Sequence, residues 1–281
     1  MGAVLPVNLP GLAGNDLLRL GIFVATLFAM ALWERSAPRR VPDFPRVGRW
    51  RSNLGLGLSN ALLVRVLPGL SAVAVAGWCE REGFGLLQRL GAPAAVAIPL
   101  AVAVLDLGIW AQHVVFHRVP LLWRLHRVHH TDPDFDPTTA TRFHPVEIAI
   151  SMGVKMAIVA ALGAAPGAVV AFEVLLSTTA LFNHGNVRLP LALDRRLRLW
   201  LVTPDMHRVH HSVVREETDS NYGFNLPWWD RLFGTYRAQP LHGHEGMVLG
   251  QSAYRDERSL RFGWLLAHPF ASGREERGQG G

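Results

Sequence analysis

The 281-residue sequence contains one cysteine, Cys79, one lysine, Lys155, and no HExxH motif. A single thiol rules out an intrachain disulfide and a cysteine-rich metal site. Without HExxH the chain lacks the helix-borne histidine pair and glutamate of a zincin-type hydrolase. Charge is scarce: 18% of residues are charged, against 49% apolar. Mean hydropathy is +0.18, high for a soluble domain of this length. The formal charge of +6 comes from arginines standing beside apolar runs. A membrane surface, and no nucleic acid, is therefore the expected partner. The Arg-, Ala- and Gly-rich composition fits a high-GC bacterial coding bias. The N-terminus, MGAVLPVNLPGLAGNDLLRL, has neither a basic n-region nor a clean cleavage site. The first apolar run is therefore expected to stay in the mature protein.

What the chain has in plenty is apolar runs. Residues 17–33 form a first candidate span, with Arg19 near one end and Trp33 at the other. A basic stretch follows, carrying Arg35, Arg39, Arg40, Arg46, Arg49 and Arg51 and broken by Pro38, Pro42 and Pro45. Positive-inside bias places it in the cytoplasm. Residues 54–76 form a second candidate span, interrupted by Arg65 and Pro68, as one tilted helix or a broken one. Residues 77–92 read as a turn on the far side. Residues 93–112 are the third span and run on into the first histidines. Residues 146–183 are too long for one span and suit two, with a hairpin at Ala165–Gly167. The expected fold is an all-α integral membrane protein of four or five transmembrane helices under a histidine-rich helical cap on the cytoplasmic side.

Three further segments complete this reading. Residues 131–145 form a proline- and aspartate-rich loop. Residues 189–202 place Leu193, Leu197, Trp200 and Leu201 on one side and Arg195, Arg196 and Arg198 mainly away, as an interfacial amphipathic helix would, with an ordinary surface helix as the alternative. The stretch from His207 to Tyr236 is expected to fold back as the cap. The expected division is residues 1–92 for the N-terminal helices and basic loop, 93–237 for the catalytic domain and 238–281 for a polar tail, frayed at GREERGQGG.

The histidines carry the chemistry. HVVFH at His113–His117 puts two imidazoles one helical turn apart. HRVHH at His126–His130 places His126, His129 and His130 so that one motif can serve two neighbouring metals. HRVHH recurs at His207–His211, with His207, His210 and His211. His184 stands at the end of the last span and can close the site. Nine ligand candidates are too many for one catalytic zinc, which takes about three protein ligands. They suit two metals of five- or six-fold coordination. Asp106, near the end of an apolar span, can accept hydrogen bonds from ligand N–H groups, and Asp230 has two readings, the same role or that of a loop or cap residue. Glu147 has two readings, as an orienting carboxylate or as a loop partner of Arg142. His144 has two, as a ligand or a loop-fixing residue. Asn221 is expected to organise the cap turn. His242, His244 and His268 fit no ligand pattern.

These motifs, with RFHPVE at 142–147, FNHGN at 182–186 and NYGFNLPWWDRLFGT at 221–235, resemble the fatty acid hydroxylase superfamily, also called the sterol desaturase family. The resemblance covers residues 95–237. It implies a membrane-bound non-haem di-iron oxygenase that uses O2 and two electrons to hydroxylate an unactivated C–H bond of a lipid. The alternative on the same site is a lipid C–C desaturase. A membrane zinc hydrolase and a non-enzymatic metal transporter are weaker readings, since the first has no HExxH here and the second wants ligating groups along several spans. The implied cofactors are two iron ions, with O2 as co-substrate. No redox domain is recognisable in the chain, so electrons are expected from a separate reductase, ferredoxin or cytochrome b5-like donor. A bacterial inner-membrane location is expected.

Overall fold

The computed structural model describes residues 12–67 and 71–271. Among these no strand forms, and two isolated bridges, Pro38 to Val187 and Ser212 to Leu249, are the only β pairing. Among the described residues, four helices are long and apolar enough to cross a membrane: α1 (Leu12–Ser36, apolar over Leu17–Ser36), α5 (Ala94–Arg118), α7 (Pro145–Leu162) and α8 (Pro166–Asn183). Their outer faces stay apolar, with Leu20, Val24, Phe28, Val96, Leu100 and Leu175 exposed, as lipid contact demands.

The expected second span is not one helix. α2 (Arg46–Val66) and α3 (Ala72–Glu82) divide it, and Pro68, in the gap, lies outside the described residues. Proline cannot continue a helix, and Ser71 starts the next one by accepting a hydrogen bond from the Ala74 N–H at 3.2 Å. α2 begins inside the basic stretch because it is amphipathic in the inverse sense. Its polar residues Arg49, Ser52, Asn53 and Asn60 are buried, while Leu54, Leu58, Leu62 and Val66 are exposed. Arg65 lies exposed at its end. The far-side turn is shorter than expected, because residues 77–82 belong to α3 and the short α4 (Leu86–Arg89) sits inside the turn.

On that far side two turns touch. Gly85 (φ 101°) and Gly163 (φ 65°) lie against each other, and a Cβ on Gly85 would come within 2.2 Å of the Gly163 nitrogen. Only glycine fits either position. Between the turns and the cap, α3, α5, α7 and α8 share one apolar core that includes Ala76, Leu105, Ile109, Val159 and Phe172.

All the histidine motifs gather at the opposite end. α5 ends at Arg118, and Pro120 opens α6 (Pro120–His130) at a bend. The loop that follows is buried rather than trailing in solvent. Arg49 of α2 donates to Asp132 at 2.6 Å and to Asp136 at 2.6 Å, and Asn53 donates to Asp132 at 2.9 Å. The segment 189–202 contributes only the short α9 (Leu191–Leu197). Its apolar residues Leu191, Leu193, Leu199 and Trp200 are exposed, as at an interface. Arg198, expected to point outward, is buried instead, paired with Asp194 at 2.6 Å and donating to the Ala238 carbonyl at 2.6 Å. A desolvated guanidinium needs such partners, and Asp194 one turn earlier supplies one.

The cap continues through α10 (Pro204–His210), α11 (Arg215–Thr218) and α12 (Trp228–Leu232). Residues 238–271 pack onto it and add α13 (Gly243–Gly246) and α14 (Phe262–Ala267), with Leu265 of α14 against Leu56 and Val128. GREERGQGG lies outside the described residues.

Candidate metal centre

Four separate elements deliver nine buried imidazoles to one place. His113 and His117 lie in the last turns of α5, His126, His129 and His130 in the last turns of α6, His184 caps α8, and His207, His210 and His211 stand at the end of α10. They sort into two groups. His113, His117, His126, His130 and His210 form one, and His129, His184, His207 and His211 the other, with the ligand atoms of each group within 4.8 Å of one another. Each HRVHH motif is split between the groups. The first gives two residues to the group of five and one to the group of four, and the second gives one and two. Neighbouring rings join the groups, as His130 and His211 stack at 4.7 Å and His207 and His210 at 5.2 Å.

In five of the nine rings the outer nitrogen has a partner that bears on the tautomer. His113, His184 and His210 each have Nδ1 at 2.7 Å from a main-chain carbonyl, of Tyr222, Ala180 and Ser220 respectively. A carbonyl only accepts, so Nδ1 carries the proton and Nε2 presents its lone pair to the centre. His126 Nδ1 lies 2.6 Å from a Glu147 carboxylate oxygen, and His117 Nδ1 lies 3.3 Å from Asp219. Consequently the His113 and His126 Nε2 atoms, 3.0 Å apart, face each other with lone pairs. No hydrogen bond relieves that contact, but a cation between them does.

The spacing fits such a cation. Two imidazole nitrogens about 2.1 Å from one ion and at right angles lie about 3.0 Å apart. The His126–His130, His129–His184 and His184–His207 pairs each stand 3.2 Å apart at Nε2. The Nε2 atoms of His117 and His210 and both ring nitrogens of His211 are buried without a hydrogen-bond partner. Protonation does not supply the missing charge. Burial, reinforced by the neighbouring imidazoles, holds His129, His130, His207, His210 and His211 well below the ordinary histidine range. Burial takes His126 down to about 3 and, despite the Ala180 carbonyl, His184 to about 4. Nine neutral imidazoles are what metal ions in this place require. Five nitrogens in one group exceed the tetrahedral set of structural zinc, while imidazole itself suits iron and zinc alike.

The other candidates divide. Glu147 takes the orienting role on His126, and Arg142 has separate partners in the Val128 and Ser259 carbonyls and the Asn53 side chain. His144 lies outside both groups. It caps α7, accepting from the Val146 N–H at 3.2 Å, with Nε2 at 3.2 Å from the Leu266 carbonyl, so it fixes a loop. Neither Asp106 nor Asp230 reaches a histidine N–H, and of its two readings Asp230 takes that of a cap residue. Asp106 accepts from Asn225, from Trp229 at 2.8 Å and from the Leu226 N–H. Asp230 accepts from Trp110 at 3.0 Å, from Thr235 and from the N–H groups of Tyr222 and Gly223. The reason is that the loop 221–229 passes over α5 and presents its own donors to both carboxylates first. Asp230 thereby holds Tyr222, whose carbonyl orients His113. Asn221 (φ 50°) organises the turn as expected, tying Met206 to Arg237. Among the described residues, His242, His244 and His268 join neither group.

Sequence reasoning missed Tyr222, Ser220 and Ala180, because a carbonyl role leaves no mark on residue type. It also missed Asp219, whose partner His117 lies 102 residues earlier in the chain. Phe224 was another. Its ring lies 5.1 Å from His113 and 5.6 Å from His207, and it belongs to the apolar core below.

A helical membrane protein with two adjoining histidine groups at one end of its spans is the class that this fold and centre define. The family model described as fatty acid hydroxylase matches residues 98–235, and the chain belongs to that family. The ornithine lipid hydroxylase OlsE of Rhizobium tropici is 30% identical over 230 residues, covering 78% of this chain and 67% of that protein. The human alkylglycerol monooxygenase is 30% identical over 139 residues, 48% of this chain and 29% of its own length. The cholesterol 25-hydroxylase of Rattus norvegicus is 28% identical over 209 residues, 71% of this chain and 65% of its own length. No solved structure matches.

Proposed function

We propose that this protein is a membrane-bound di-iron monooxygenase that hydroxylates an unactivated C–H bond of a lipid. The balanced reaction takes RH, O2, two electrons and two protons to ROH and water. The observation that carries this reading is the split of nine buried, neutral histidines into adjoining groups of five and four at one end of apolar spans. Iron bound there would supply O2 activation and hydrogen removal. His113, His117, His126, His130 and His210 would hold one ion, and His129, His184, His207 and His211 the other. Relatives with hydroxylase and monooxygenase names support the reaction class.

The chain's own residues do the rest. Glu147 and the carbonyls of Tyr222, Ala180 and Ser220 keep Nδ1 protonated and Nε2 aimed inward. Phe135, Phe143 and Phe224 pack on the imidazoles and keep water out. An apolar chain entering from the membrane beside α5, α7 and α8 would meet the centre at Phe224, which continues the core of Leu105, Ile109 and Phe172. Arg35 and Arg51, exposed at the cap end, favour a cytoplasmic orientation in a bacterial inner membrane. Electrons then come from a separate reductase, ferredoxin or cytochrome b5-like protein.

The test is metal content on anaerobically purified protein, with Mössbauer spectra of iron-57 material. Two irons per chain as a coupled pair are expected. Lipid extracts from cells with and without the protein should differ by one oxygen, whereas a new double bond would mean desaturation. One zinc and no iron after iron-replete growth would sink the redox reading.

A further inference from the structure

A second feature lies one layer outside the histidines. A groove of about 420 Å3 opens between the end of α1, the segment after α8 and the start of α10. That volume falls in the range of small-molecule sites, about 300–1,000 Å3. Its walls alternate in charge. Arg39 donates through Nε to both Asp205 oxygens at 3.2 Å and through Nη1 to Glu245 Oε1 at 3.1 Å. Arg188 donates to the same Glu245 oxygen at 3.4 Å. Arg188 and Glu245 are 61% and 72% exposed, so their pairing is weak and rearranges readily for a ligand. Leu189, Pro190 and Leu191 supply an apolar side.

The depth is that of lipid headgroups. Trp33, half-exposed in the last turn of α1, sits one turn before Ala37 of the groove, and Leu191 at the rim is 69% exposed. The floor leads to the metal centre. Asp205 pairs with Arg208, which also donates to the Gly185 carbonyl at 3.1 Å, next to His184. His207 follows Asp205 by two residues.

We propose that this groove is the headgroup subsite for a zwitterionic lipid, one bearing both an ammonium and a phosphate or carboxylate. The assignment rests on the lipid-oxygenase reading and names its substrate class. The anionic group docks on the guanidinium of Arg188 beside Arg39, which suits the planar geometry of both partners. The ammonium docks on the second carboxylate oxygen of Glu245. Asp205 and Glu245 repel a purely anionic headgroup, and the two arginines repel a purely cationic one. The acyl part leaves over Leu189 and Leu191 towards the bilayer.

The experiment titrates the metal-loaded, detergent-solubilised protein with three probes by calorimetry: dihexanoyl phosphoethanolamine, dihexanoyl phosphoglycerol and glycerophosphoethanolamine, which lacks chains. The zwitterionic lipid is expected to bind at least five-fold tighter than either of the others. Glu245→Gln should erase its advantage over phosphoglycerol, and Arg188→Gln should weaken both lipids. Both residues are exposed, so both variants should keep their fold and metal. Equal binding of the two lipids, or an unchanged preference in Glu245→Gln, overturns the proposal. Equal binding of glycerophosphoethanolamine overturns the lipid assignment in favour of a soluble zwitterion. The same samples, supplied with O2 and reductant, are then analysed for added oxygen. The expected binding pattern without any oxidation supports the subsite and removes the oxygenase reading. Oxidation without headgroup preference does the reverse.

Discussion

Glu147 and Phe224 show how single residues divide the work around the imidazoles. Glu147 is buried and accepts the Nδ1–H of His126 at 2.6 Å. Glu147→Leu removes that acceptor and frees the ring to turn or change tautomer. Loss of such an orienting partner typically lowers metal affinity by about 10- to 100-fold. Glu147→Gln, which keeps an acceptor oxygen, should recover part of it. Metal retained per chain after dialysis against graded chelator reads the difference, and equal retention in all three proteins would remove the orienting role. Phe224 touches rings of both groups but offers no ligand atom. Phe224→Ala is expected to leave metal content intact and move or broaden the oxidised position on the chain, as read by mass spectrometry of products. An unchanged product would place the substrate path elsewhere. The histidines that gather in the two groups were legible in the sequence, because metal binding would need a particular residue type at a particular spacing. The carbonyls of Tyr222, Ser220 and Ala180 were not, since any residue supplies one. Asp106 was legible as a buried carboxylate needing a partner and Asp230, in one of its readings, as a cap residue, but the particular donors that each accepts from were not.

At the scale of elements, α2 is the part that patterning served least well. Its apolar face points outward and its polar face inward, so an apolar run beginning at residue 54 hid a helix beginning at Arg46. Arg49 looked like one of several juxtamembrane cations. Its partner Asp132 lies 83 residues later, and no local pattern announces a contact of that range. Of the two readings of residues 54–76 the broken one holds, and Pro68 signalled it in the sequence, but where each half packs was not legible. The network has a consequence for stability. Burial would raise Asp132, but the charges of Arg49 and Arg142 outweigh it and bring it to about 2. Arg49→Met leaves Asp132 and Asp136 buried without the cation that hydrogen-bonds them, with only the more distant charge of Arg142. Removing one member of a buried pair costs about 3–5 kcal/mol. The solubilised variant should melt well below the parent and be cut by protease within residues 131–145. Arg49→Lys should fall between, because a single ammonium cannot span Asp132 and Asp136 as the guanidinium fork does. A parent-like melting point in Arg49→Met would mean that the loop is held by its other contacts.

For the whole molecule, the histidine groups bring together the ends of α5, α6, α8 and α10, so metal bound there would be coupled to folding. The metal-free state then has a definite response to pH. His126 and His184 sit at about 3 and about 4 in the folded protein, below the unfolded value of about 6.5. Between that value and their own, the unfolded chain takes up protons that the folded one refuses. Stability therefore rises with pH in this window and is lost as pH falls from about 6.5 towards 4. Each such histidine contributes a slope of about 1.4 kcal/mol per pH unit. Asp132 acts in the same direction, but only at lower pH, below the ordinary carboxylate value of about 3.9. Chelator-treated protein is expected to keep its helix content at pH 7.5 and to lose thermal stability steeply between about pH 6.5 and 5. Metal-loaded protein should melt higher at pH 7.5, because the ions bind the folded state alone, and should converge on the metal-free curve once protons displace them. Melting followed by circular dichroism across that range, with metal content measured at each pH, decides the matter. A metal-free midpoint that stays flat or rises on acidification would mean that these histidines are not the buried, neutral groups that both metal sets require.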